Sequence, residues 1–92
     1  MRKNKIRILH VAQAAGGVDR YIRMLLKYLD KEKFENTLVC SQDFYEEDYI
    51  DLVDSFEKVE MTRAIGGSDL KAIKDVRTLI KKYNPDIVYA HS

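Results

Sequence analysis

Two places in the sequence carry residue types suited to chemistry. Gly16 and Gly17 close the apolar run from Lys5 to Ala12 and stand directly before a helical pattern. Glycine admits left-handed conformations and lets an anion approach the main chain, so a strand, a glycine turn and a helix in that order can present N–H groups to a phosphate. His91 follows the apolar run Asp86 to Ala90. At the exposed carboxyl end of a strand, its imidazole can donate a hydrogen bond or exchange a proton near neutral pH. Arg63 and the pair Gly66 and Gly67 form a loop that either contacts a ligand or turns the chain, and Ser92 adjoins His91. His10 lies between Leu9 and Val11 inside the first apolar run and reads as structural.

Other chemistries find no support. Cys40 is the one cysteine, set inside the apolar stretch TLVCS, and reads as a core thiol. Neither CxxC nor HExxH spacing occurs, so no metal site is expected. GxGxxG and GxxxxGK[ST] are also absent, which removes the standard dehydrogenase and nucleoside triphosphatase readings. No cofactor is expected.

The elements that must position these residues follow from hydrophobic spacing. Residues 5–12, 34–41, 58–61 and 86–90 are short and apolar, as buried parallel strands are. From Val18, the positions Ile22, Leu25 and Leu29 fall at helical spacing, opposite Arg20, Arg23, Lys27 and Lys31. A second helix is expected over 45–56, with Tyr49, Leu52, Val53 and Phe56 on one side and acids on the other. A third runs from the N-cap Ser68, with Asp69 beside it, through Leu70, Ile73, Val76 and Ile80 to the stop at Asn84 and Pro85. Four strands alternating with three helices predict an α/β fold, βαβαβαβ, with a three-layer parallel sheet. Ligands of such sheets bind beyond the carboxyl ends of the strands, where strand order reverses. If the first and fourth strands are neighbours there, the glycine loop and His91 share one rim.

Ninety-two residues with 46% hydrophobic and 34% charged content make one soluble domain without repeat or linker. No apolar run approaches the roughly 20 residues of a membrane span, and no signal peptide opens the chain, so a cytoplasmic location is expected. Charge is segregated despite a net of +1: residues 36–60 hold one Lys against eight acids, while the flanking segments are basic. Such a distribution could make one face attractive to anions, although solvated helix faces account for it more simply. With charge near balance and no recognition helix, no nucleic acid partner is expected. The aromatics follow helical spacing and read as core, not as a base-stacking surface.

Taken together, the stretches KIRILHVAQAAGGVDRYIRMLLKYLD and SDLKAIKDVRTLIKKYNPDIVYAHS, at their separation in the chain, resemble the amino-terminal half of GT-B glycosyltransferases of the family 4 kind. That group builds bacterial capsular and extracellular polysaccharides. The resemblance covers nearly all of residues 1–92 and implies a Rossmann-like acceptor-side domain, with a nucleotide-diphosphate sugar held largely by a second, carboxyl-terminal domain. By position, Gly16 and Gly17 would approach the donor diphosphate, and His91 would act catalytically beside the transferring sugar or acceptor. Arg63 and Ser92 are acceptor-side candidates. Many members have histidine where this chain has Tyr89. No second domain and no Glu-x7-Glu motif follow Ser92, so the chain is expected to be a fragment, inactive in transfer by itself.

The acceptor implied is a glycan or a lipid-linked oligosaccharide. Peripheral contact with the inner face of the cell membrane is also implied, helped by Arg20, Arg23, Lys27, Lys71, Lys74, Arg77, Lys81 and Lys82. The alternative is a non-catalytic partner of the same fold that docks on another chain or dimerises through the free edge of its fourth strand. A receiver-type module is disfavoured, because the first and third strands end in HVAQ and VEMT without an aspartate pair.

Overall fold

The apolar run beginning at Ile6 becomes the middle of the sheet because both of its edges find partners. The computed structural model describes residues 4–61 and 70–91. Over these, the order is β1 (Ile6–Ala12), α1 (Gly16–Tyr28), β2 (Phe34–Cys40), a 3-10 turn (Glu46–Asp48), β3 (Ser55–Lys58), α2 (Leu70–Tyr83) and β4 (Ile87–His91). All pairings are parallel and the order across the sheet is β3-β2-β1-β4. The first and fourth strands are therefore neighbours, and the fold is α/β and Rossmann-like.

Strand alternation divides the core in two. Ala12, Leu38 and Cys40 pack with Ile22 and Leu26 of α1 on one face, joined by Phe44 and Tyr49. Leu9 and Val39 pack with Ala72 of α2 on the other, against Val76, Leu79 and Ile80. Successive side chains of a strand point to opposite faces, so Ile8, His10 and Ala12 share the α1 side. Cys40 is wholly buried, and that burial pushes its thiol up to about 12, which keeps it unreactive as the core residue expected.

Caps and turns set the element ends. The chain leaves α1 through a turn in which the Asp30 carbonyl accepts the N–H groups of Lys33 and Phe34, both at 2.9 Å. Asn84 ends α2 in the left-handed conformation, with φ of +46° and its N–H on the Ile80 carbonyl, and Pro85 prevents continuation. Asp86 then clamps the start of β4 to β1: its N–H donates to the Arg7 carbonyl and its carboxylate accepts the Arg7 N–H, each at 2.9 Å.

Three expectations are corrected. The helix expected over 45–56 is a three-residue 3-10 turn followed by further turns, and β3 begins at Ser55, three residues before the strand expected there. The expected apolar residues are buried or half-buried as the spacing demanded, but Glu46, Glu47, Asp48, Asp51 and Asp54 would repel one another at i, i+3 and i+4 along a helix. The chain meets the core on Tyr49 instead, whose carbonyl accepts the N–H groups of Leu52 and Val53. Second, β4 is not a buried strand: Ile87, Val88 and Tyr89 are 45%, 49% and 40% exposed, because among the described residues β1 is its only strand partner. Third, His91 lies inside β4 and is only 6% exposed, where exposure beyond the strand end was expected. The expected N-cap Ser68 with Asp69, and the loop of Arg63, Gly66 and Gly67, lie outside the described residues, as does Ser92. No helix among the described residues is long and apolar enough to cross a membrane.

Candidate functional site

Adjacent parallel strands bring the two informative stretches together. β1 pairs with β4 in the register Ala12↔His91 and His10↔Tyr89, so the chain beyond Ala12 rises next to the end of β4. A cleft of about 470 Å³ opens there, lined by Gly17, Val18 and Tyr21 of α1 and by Tyr89, Ala90 and His91 of β4. The shared rim expected from topology is present.

The amino end of α1 supplies one wall. Ala15 precedes the helix and donates its N–H to the Asp43 carboxylate at 3.0 Å, while the Ser41 hydroxyl donates to the same group. The following N–H groups belong to the first helical turn, where the helix itself offers no acceptor. Asp19, the acid of that turn, is occupied by Arg23 at 2.8 Å and by the Tyr49 hydroxyl.

Gly16 has φ of +41°, whereas a Cβ added at Gly17 would meet nothing within 4 Å. Gly16→Ala is therefore expected to lower stability by about 1 kcal/mol through left-handed strain, and Gly17→Ala to leave the urea midpoint nearly unchanged or slightly raised. Equal losses from the two changes would contradict this assignment of backbone conformations.

The other wall is aromatic and polar. His91 stacks on Tyr89 with ring centroids 4.1 Å apart and 15° between planes, and Tyr21 tilts toward it at 6.1 Å. The Tyr21 hydroxyl beside Tyr89 holds that phenol above its ordinary pKa. Behind His91 lies His10, wholly buried: its Nδ1 is 3.0 Å from Nε2 of His91, and its Nε2 is 3.0 Å from Oδ1 of Asn36. Burial, reinforced by the neighbouring His10, lowers the His91 imidazole to about 4, and burial lowers His10 as well against the opposing Asn36 hydrogen bond. Both rings are neutral at pH 7. At that pH His91 can accept or donate a hydrogen bond but carries no charge.

The model of Glycosyltransferase Family 4 matches residues 15–92, a span that opens just before the glycine pair and closes just after His91. The chain belongs to glycosyltransferase family 4. No curated protein and no solved structure gives a match. The family 4 assignment and the parallel α/β sheet together make this a glycosyltransferase-type domain.

Of the residues singled out in the sequence, Gly17 and His91 meet at the cleft and Gly16 stands one residue earlier in the same turn. Arg63 and Ser92, the acceptor-side candidates, lie outside the described residues of this family 4 domain. The basic residues of α1 and α2 do not form one patch, because the two helices pack on opposite faces of the sheet. Sequence reasoning missed Asn36 and Tyr21, gave Tyr89 no role, and separated His10 from the site. The available signal was parity: His10 and Tyr89 prove to be register partners, so the alternate residues His10 and Ala12, Tyr89 and His91 share one face.

Proposed function

We propose that the chain is the acceptor-side domain of a GT-B glycosyltransferase that moves a sugar from a nucleotide-diphosphate donor to a polysaccharide or lipid-linked acceptor. The single observation that carries the reading is the meeting of Gly17 and His91 in one cleft at the carboxyl ends of adjacent parallel strands, where open sheets bind ligands. In this reading the first-turn N–H groups around Gly16 and Gly17 face the donor diphosphate, with the helix dipole adding attraction. His91 hydrogen-bonds the transferring sugar or the acceptor hydroxyl, and Arg63 and Ser92 approach the acceptor. Most of the donor site belongs to a second domain, so residues 1–92 alone transfer no sugar.

The test is titration of the isotope-labelled chain with inorganic pyrophosphate, followed by turnover assays with nucleotide sugars. Saturable shifts of the Gly16 and Gly17 amides, lost in Gly17→Val, together with no turnover, are expected. Unmoved glycine amides would remove the diphosphate assignment, and measurable transfer by the chain alone would remove the requirement for a second domain.

A second reading, a non-catalytic partner that pairs through β4, is favoured by the exposed apolar residues Ile87 and Val88 on that edge strand. A chain that is dimeric by light scattering and indifferent to pyrophosphate would support it.

A further inference from the structure

Three side chains on three adjacent strands form a line across the α1 face of the sheet: Asn36 on β2, His10 on β1 and His91 on β4. Asn36, His10 and His91 are 1%, 0% and 6% exposed, so the line is buried along its length and meets the cleft at His91. We infer that Asn36 and His10 form a buried relay that fixes His91 as its Nε2–H tautomer, leaving Nδ1 as the nitrogen that accepts from a ligand.

The count of protons along the line fixes each tautomer. A carboxamide oxygen only accepts, so Oδ1 of Asn36 requires a proton on Nε2 of His10. A neutral imidazole carries one N–H, which leaves Nδ1 of His10 as an acceptor. The contact of 3.0 Å between that nitrogen and Nε2 of His91 then requires the proton to come from His91. A cationic His10 could donate in both directions, but burial disfavours the charge, and neither of its two hydrogen-bond partners, an amide and a second imidazole, carries a compensating negative charge.

Asn36 is itself held at both backbone groups by Asp54, whose carboxylate accepts the Asn36 N–H and whose own N–H donates to the Asn36 carbonyl, each at 2.8 Å. The relay is thus anchored at its far end, and its near end, His91, reaches the cleft. His10 and Asn36 are positioning residues, and of the three relay members it is His91 that lines the cleft.

The functional part rests on the glycosyl-transfer reading of His91: a sugar hydroxyl would donate its proton toward His91 Nδ1, and His91 would not donate to the sugar at neutral pH. The tautomer itself is independent of that reading, and long-range proton–nitrogen correlation spectra of the ¹⁵N-labelled chain at pH 7 test it directly. Nε2–H is expected on both histidines. Nδ1–H on His91 would overturn the inference, since it requires the opposite proton order along the whole line.

In Asn36→Asp the carboxylate still accepts from His10, so the Nε2–H pattern should persist while the His10 titration moves to higher pH. In His10→Leu, His91 should become a mixture of tautomers. A single unchanged His91 tautomer in a folded His10→Leu chain would equally overturn the relay. If the wild-type pattern is as expected but pyrophosphate moves no resonance at the cleft, the relay stands and the diphosphate assignment on which the glycosyl-transfer reading of this cleft rests fails.

Discussion

Tyr49→Ala is expected to lower the free energy of unfolding by about 3–5 kcal/mol, the usual effect of emptying a buried aromatic site. Tyr49 is wholly buried, with Phe44 at 6.1 Å and Phe56 at 5.8 Å between ring centroids. Its hydroxyl donates to the Asp19 carboxylate and, at 3.3 Å, reaches the Asp19 carbonyl, so one side chain ties the turn before β3 to the first turn of α1. Burial and the adjacent Asp19 carboxylate push the phenol well above its ordinary pKa, and it stays protonated as the donor. Because domains of this size are stable by only about 5–15 kcal/mol, the alanine chain should be close to unfolding at 37 °C. Tyr49→Phe keeps the ring and loses one hydrogen bond to a charged group, for about 1.5–3 kcal/mol. Urea denaturation of both variants checks the ranking. A loss below about 1 kcal/mol for the alanine change would show that the turn is not packed on α1.

The second large effect is a loss of stability in mild acid. His91 is held near 4 in the folded chain against 6.5 when unfolded, and His10 is lowered too. The unfolded chain therefore binds protons that the folded chain refuses. For His91 the stabilisation is fully present above pH 6.5 and fades as pH falls toward 4, by up to about 1.4 kcal/mol per pH unit, and the lowered His10 acts in the same direction. For His91 the whole window amounts to about 3 kcal/mol. Denaturation midpoints measured between pH 7 and 4 should fall accordingly, and a chain with both histidines replaced by glutamine should lose that part of the slope. An identical slope in the two chains would mean that carboxylates, not the histidine pair, govern acid unfolding.

The parts of the molecule legible in its sequence are those decided locally. The apolar clusters within β1 and β2 and the Asn84–Pro85 stop after α2 needed no knowledge of distant residues. The segment 45–56 misled because its apolar spacing fits a helix and a tight turn on Tyr49 equally well, and the choice fell to acid repulsion and to the place where β3 joins β2. The apolar composition of β4 says nothing about its position at the sheet edge. His10 looked like a core residue, and it is one. Its attachment to His91 depends on a pairing across 81 residues that no local pattern encodes.

The relay across the strands also bears on when the site comes into being. Its members come from β2, β1 and β4, the last two joined only after the chain as far as His91 has been laid down. A slip of one residue in either pairing would turn a member to the opposite face and leave a buried imidazole or amide without its partner, at about 1–3 kcal/mol each. The same proton chain that presents His91 to the cleft therefore works as a check on register: a sheet assembled out of step is penalised at its centre, and the site exists only in the chain that has paired correctly.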